Sequence, residues 1–229
     1  MAYYMIHVCN QRLWYVRDFL IPSMLEQGIE PDHILVYRDK NSIGNLRAWV
    51  DSCNRLYTQC ARDDIDGVWH LQDDVVICKD FKERTENYDS GIVCGFTCIY
   101  NVMPVSGRFK LKEEKMWYSF PCIRIPTYVL KGFIDWANIN LWQSQYFREN
   151  VMRNNADDLV FREWLYDNYK ETQELNLAPN LVNHIDYLID GSIVNKGRDR
   201  DTTSIFWEDN EMLTKLKESI DEYKRIKND

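Results

Sequence analysis

The chain of 229 residues has no uninterrupted apolar run near the ~18 residues that a membrane-spanning helix needs. Its first ten residues, Met1 to Asn10, carry neither Lys nor Arg and no long apolar stretch, so no secretory signal is expected. Glycine and proline are scarce, at 9 and 6, while hydrophobic residues reach 45% and charged residues 28%. That balance excludes disordered, collagen-like and coiled-coil-rod classes. Positive charge is the minority, 28 Lys and Arg against 36 Asp and Glu, a net charge of −8. A surface that coats a polyanion throughout is therefore excluded, although a local basic patch is not. Internal repeats and low-complexity tracts are also absent.

Cysteines number seven, an odd count, and most sit in apolar segments. They read as free buried thiols in a reducing compartment, and a cytoplasmic location is expected. Cys94 and Cys98 would share one face of a strand, but no second Cys/His pair stands near them to complete a zinc site. Packing is the simpler reading.

What the chain does have is order. Met5 to Cys9 is a short apolar strand, and Leu13 to Gln27 carries a helical stripe that ends at Gly28. His33 to Tyr37 reads as a second strand and Asn45 to Cys60 as a second helix. Gly67 to Cys78 reads as a buried strand broken by two acids. Gly91 to Tyr100 and Trp117 to Ile125 are further strands, and Thr127 to Trp142 and Asp157 to Tyr169 are helices. Asn176 to His184 is a short extended segment. The tail after residue 207 is an amphipathic helix with Leu213, Leu216, Ile220, Tyr223 and Ile226 on one stripe. It would dock on the domain formed by residues 1–207 or, alternatively, make a homodimer contact. Alternating strands and helices imply an α/β fold with a mixed, mostly parallel sheet flanked by helices. Ligands of such sheets bind at the carboxyl ends of the strands. Asn10 and Arg12, Arg38 and Asp39, and Gln72 to Asp74 all fall there.

Asp73 and Asp74 stand between apolar residues on both sides. Burying adjacent carboxylates costs several kcal/mol unless a metal or another cation compensates them. Hard oxygen donors of this kind suit Mg²⁺ or Mn²⁺; the alternative is a solvated turn at a strand end. His184, near the end of the last extended segment, is able to complete such a site or to be a satisfied structural residue. His7 reads as a core or sheet residue, and His33, beside Pro31 and Asp32, as a surface residue. Asp157 and Asp158 open a helix, where acids complement the helix dipole; a general base for an acceptor hydroxyl is the other role. Lys196, Arg198 and Arg200 lie in a polar loop between Gly191 and Thr203, either a plain connection or a lid over a diphosphate.

Taken in order, the strand LQDDVVI, the helix ADDLVFREWL and the segment APNLVNHIDYLIDGS resemble GT-A-fold glycosyltransferases, in particular small bacterial and bacteriophage-type enzymes with an EDD or DDD motif. The resemblance spans about residues 4–206. It implies a metal-dependent enzyme that moves a sugar from a nucleoside-diphosphate sugar to an acceptor hydroxyl. Gln72, Asp73 and Asp74 would stand at the DxD position, with Gln72 replacing its first acid. Asp74 and His184 would ligate Mn²⁺ or Mg²⁺, and Asp157 or Asp158 would be the base. Asn10, Arg12, Asp39, Asn45, Arg47, Gln72 and Asp73 would bind the nucleotide sugar, with Lys196, Arg198 and Arg200 closing on the diphosphate.

The aromatic share of 14%, with eight Trp, suits stacking on sugars, and Trp117 and Tyr118 are the acceptor-side candidates. The acceptor itself is open: a glycan, a protein, a small molecule or a modified DNA base, the last in a phage-encoded enzyme of the host cytoplasm. Two further readings stay beside this one. The first is a nucleotide-sugar-binding or interaction protein without turnover, suggested by Gln72. The second is a metal-dependent nuclease or nucleotidyltransferase, against which the order of the motifs argues.

Overall fold

The computed structural model describes residues 2–39, 45–88, 90–96, 107–110, 121–141, 157–169, 173–189 and 207–228. Strand β1 (Tyr3–Cys9) runs at the centre of the first half. It is followed by a single turn of 3-10 helix at Asn10–Arg12 and then by helix α1, built of the pieces Leu13–Tyr15, Val16–Leu20 and Ile21–Glu26. The middle piece is a π-turn. Gly28 ends α1 with φ +77°, donating its N–H to the Leu25 carbonyl at 2.9 Å, while Ile29 N–H reaches Met24. A residue with a Cβ resists that left-handed conformation, which explains the stop expected there.

Next come β2 (Ile34–Asp39), α2 (Asn45–Arg62), β3 (Gly67–Gln72), β4 (Val75–Ile77), α3 (Phe81–Glu86), β5 (Ile92–Cys94) and β6 (Gly107–Lys110). The chain continues through β7 (Cys122–Pro126), α4 (Thr127–Asn140), α5 (Asp157–Asn168), β8 (Gln173–Asn176), β9 (Val182–His184) and α6 (Asn210–Asn228).

Seven strands form the main sheet in the order β2-β1-β3-β7-β5-β8-β6. β1 pairs parallel with both β2 and β3, and β5 parallel with β8; β7 and β6 run against their neighbours. Five of the seven strands thus point the same way, so the fold is mixed α/β with a mostly parallel sheet flanked by helices.

The central strands are buried on both faces, as parallel strands between helical layers must be. Their side chains alternate between two cores. Tyr4, Ile6, Val8, Trp69 and Leu71 point into one, which α1, α3 and α6 cover. Met5, Val68, Ile123 and Ile125 point into the other. There α2 supplies Leu46, Trp49, Val50, Cys53, Leu56 and Cys60 at helical spacing, and α4 and α5 add Phe133, Phe161 and Trp164. Among the described residues no helix is long and apolar enough to cross a membrane.

The structure departs from the sequence expectations in several places. Gly67 to Cys78 is two strands, not one. The chain turns at Asp73–Asp74, and β4 leaves the main sheet to pair antiparallel with β9. The extended segment Asn176 to His184 is likewise divided, β8 lying in the main sheet and β9 in the small one, with a cis Ala178–Pro179 bond between them. His33 is not a surface residue: it is 8% exposed, with its ring 4.4 Å from that of Tyr3. The fifth strand is shorter than expected, and Cys98 and Tyr100 lie outside the described residues. Cys53, Cys60, Cys78, Cys94 and Cys122 are buried free thiols.

Gly95 sits where β5 leaves the sheet, between Cys122 and Leu181. Its N–H donates to the Cys122 carbonyl (2.9 Å), and its own carbonyl accepts from Leu181 N–H (2.7 Å). A Cβ at this position would fall 2.7 Å from Cys122 Sγ and 2.9 Å from Leu181 Cδ1. Gly95→Ala is therefore expected to cost about 1–3 kcal/mol through overpacking, measured as a lower urea midpoint at unchanged m.

Candidate functional site

The carboxyl ends of β1, β2 and β3 are level, since Cys9 pairs with Asp39 and His7 with Gln72. The polar residues expected at these ends do gather there. Just past β1 the 3-10 turn carries Asn10 and Arg12, and Arg38 Nε donates to Asn10 Oδ1 at 2.7 Å. Past β3 come Asp73 and Asp74, which are 7% and 6% exposed, against 6% for Arg12. Three charged groups are thus buried together at one strand edge.

Arg12 is the compensating cation. Its Nη1 donates to Asp73 Oδ1 at 3.0 Å and also to Asp74 Oδ2. Asp73 is held from a second side, where its Oδ2 accepts the Cys9 N–H at 2.8 Å. This bond ties the end of β1 to the turn after β3.

The β4–β9 ladder supplies the other partner. Val75 lies opposite His184, and Ile185 N–H donates to the Asp74 carbonyl at 2.8 Å. That register sets His184 Nε2 3.1 Å from Asp74 Oδ2, while Asp186 Oδ1 stands 3.6 Å from His184 Nδ1. Tyr15 fixes the turn from α1, its hydroxyl donating to the Val75 carbonyl at 2.7 Å.

These contacts set the protonation states. Burial alone would raise the Asp74 carboxyl, but His184 and Arg12 outweigh it and hold Asp74 well below the usual carboxylate range. Burial and the adjacent Asp74 charge push Asp73 the other way, up, against Arg12 and the Cys9 N–H. Burial disfavours a charged His184, yet Asp74 and Asp186 raise it above an ordinary histidine. Burial and Asp73 push the nearby Cys9 thiol up to about 11, so it is not a thiolate nucleophile at neutral pH.

The donor set fits a hard divalent cation. Asp74 Oδ1 is buried and takes no hydrogen bond, so one lone-pair oxygen of this carboxylate is unused. A carboxylate oxygen and an imidazole nitrogen stand side by side, and both are ligands for such ions once the imidazole nitrogen facing Asp74 has given up its proton. Among the described residues no cluster of three or more His, Cys, Asp or Glu is arranged to hold a metal. Two protein ligands suffice for an ion that takes its remaining positions from water and phosphate.

Of the remaining sequence candidates, Asp39 ends β2 beside Cys9, Gln72 ends β3, and Asn45 and Arg47 open α2, Arg47 being exposed. Asp157 and Asp158 are the first residues of α5; their side chains lie outside the described part of the structure. Trp117, Tyr118, Lys196, Arg198 and Arg200 also lie outside the described residues. Two participants were missed from the sequence: Tyr15 and Asp186. Only Asp186 left a signal, as the acid two positions after His184.

No protein-family model and no curated protein matches the chain. Among solved structures, the chain is similar to A197 from STIV at a TM-score of 0.45 and 13% identity, over 81% of this chain and 86% of that one. It is also similar to a glycosyltransferase involved in the glycosylation of the major capsid of PBCV-1, at a TM-score of 0.39 and 9% identity, over 81% and 83% of the two chains.

Proposed function

We propose that the protein is a divalent-metal-dependent glycosyltransferase that uses a nucleoside-diphosphate sugar. The observation that carries this reading is the buried Asp73–Asp74 pair at the carboxyl end of β3, with His184 brought onto Asp74 by the β4–β9 ladder. The sequence resemblance around LQDDVVI and APNLVNH supports the same assignment. In a mostly parallel sheet this edge is where a nucleotide cleft forms.

Asp74 and His184 would hold Mn²⁺ or Mg²⁺, which neutralises charge on the departing diphosphate. Asn10, Arg12, Asp39 and Gln72 line the strand ends where the nucleotide would lie. In the transfer the bond from the anomeric carbon to the diphosphate oxygen breaks and a bond to the acceptor oxygen forms. The acceptor's proton passes to a carboxylate, for which Asp157 and Asp158 are the candidates. The acceptor is a hydroxyl on a glycan, protein, small molecule or modified DNA base.

The test is a thermal-shift screen of nucleoside diphosphates and their sugars, each with and without Mn²⁺. A cognate nucleotide at about 100 times its Kd adds roughly 2.7 kcal/mol, which for a chain of this length raises Tm by about 5–10 °C. Stabilisation followed by sugar release supports the enzyme. Stabilisation without any release supports a nucleotide-sugar-binding protein without turnover, the reading that Gln72 favours. No shift with any donor overturns the assignment.

A further inference from the structure

We propose that Arg12 is an exchangeable counter-ion. Its guanidinium and a divalent cation are alternative partners of Asp74, so the cation binds only as Arg12 withdraws. This inference rests on the metal-site reading given above and concerns what that site must do to load.

The geometry points to exchange rather than to permanent pairing. A single nitrogen, Nη1, serves both carboxylates, so Arg12 acts as a point charge between them. The strong form of an arginine–carboxylate pair is a parallel two-nitrogen fork, and Arg12 does not make one here. Its Nε is buried with no hydrogen-bond partner, a cost that a purely structural arginine would be expected to avoid.

Each carboxylate also keeps a partner when Arg12 leaves. Asp73 retains the Cys9 N–H, and Asp74 retains His184. Both anchors come from backbone pairing that does not involve Arg12. With His184 neutral, as a metal ligand must be, Arg12 is the cation that faces the two carboxylates, and a doubly charged ion in its place would balance them. Arg12 stands at the junction of the three-residue turn after β1 and the start of α1, outside the strand pairing that holds Asp73 and His184, so withdrawal of its side chain leaves that pairing intact.

The experiment is Mn²⁺ titration of the full chain without nucleotide, by calorimetry and by the electron-spin-resonance signal of free Mn²⁺. Wild type, Arg12→Gln, Arg12→Lys and the double variant Arg12→Gln/Asp74→Asn are compared. Arg12→Gln is expected to bind Mn²⁺ about 10-fold more tightly than wild type, within the usual range of coupling between competing partners. Its Tm should also rise more on adding Mn²⁺. Arg12→Lys, which keeps the charge, should stay within about 3-fold of wild type, a change of under 1 kcal/mol. The double variant should lose the gain, which separates this site from general attraction to an acidic protein.

Equal or weaker Mn²⁺ binding by folded Arg12→Gln overturns the exchange while leaving the metal site standing. A gain that survives in the double variant overturns it as well. Absence of Mn²⁺ binding in every form removes the metal reading together with the exchange. Should Arg12→Gln fold only when Mn²⁺ is present, the ion has replaced the guanidinium and the proposal is supported; failure to fold even with Mn²⁺ overturns it.

Discussion

On the proposed function, replacing Asp74 with Asn is expected to lower donor-sugar hydrolysis and transfer by about 10²–10³-fold, the usual loss when one group that stabilises developing charge is removed. The substitution is nearly isosteric, and its effect falls on charge. An amide oxygen still accepts a hydrogen bond from His184 or Arg12, but it is a poor ligand for a hard divalent ion beside an arginine. Neither partner is stranded, because Arg12 keeps Asp73 and His184 keeps Asp186. The variant should therefore remain folded, with unchanged circular dichroism.

Its stability gap to wild type has a defined pH window. The folded Asp74 carboxyl lies below its unfolded value, so its contribution is fully present above an ordinary carboxylate pKa, ~3.9, and is lost as pH falls through the folded value. Denaturation of wild type and variant should differ at pH 7 and converge only in strong acid. Near-wild-type turnover by a folded Asp74→Asn protein would remove this residue from the site.

Truncation before Asp209 is expected to cost about half of the stability of the fold. The C-terminal helix α6 contributes Leu213 and Ile220, 7% and 2% exposed, to the core formed with β1, β3 and α1. Each is worth about 1.5–3 kcal/mol when buried. Tyr223 stacks on Trp14 with ring centroids 4.9 Å apart and planes within 12°, adding about 0.5–1.5 kcal/mol beyond its area. Asp209 locks the start of the helix, its Oδ2 accepting the Lys79 N–H at 2.8 Å and its Oδ1 the Met212 N–H at 3.4 Å.

Against a total of roughly 5–15 kcal/mol, losing these contacts removes about half of the margin that keeps the chain folded. Urea unfolding of the shortened chain should show no cooperative transition, or one at a far lower midpoint. An unchanged midpoint would make the helix a true appendage, free to serve as a dimer contact.

The first half of the fold was legible because its signals are local. In α2 the residues from Leu46 to Cys60 repeat at helical spacing, and β1 reads as a short apolar run because its alternate residues serve two cores. Gly28 marks the end of α1 through its backbone conformation. The division of Gly67 to Cys78 was not legible, since Val75–Ile77 is as apolar as the strand before it. What divides them is where the backbone hydrogen bonds go: β4 pairs with a strand more than 100 residues later. His33 was misread for the same reason, because its Pro–Asp neighbours signal a turn while the ring of Tyr3 buries it.

The candidate site divides in the same manner. Sequence alone posed the choice between two buried acids that need a cation and a solvated turn at a strand end, and the burial of Asp73 and Asp74 decides it for the first. It also marked Asp74 and His184, through the order of motifs along the chain. Which cation answers the acids was settled in three dimensions. Arg12 looks like any polar residue after a strand until the parallel pairing of β1 with β3 sets it against Asp73 and Asp74, and the antiparallel pairing of β4 with β9 sets His184 on the far side. Coulomb interactions between these groups fall with distance through space, and only the tertiary fold determines that distance.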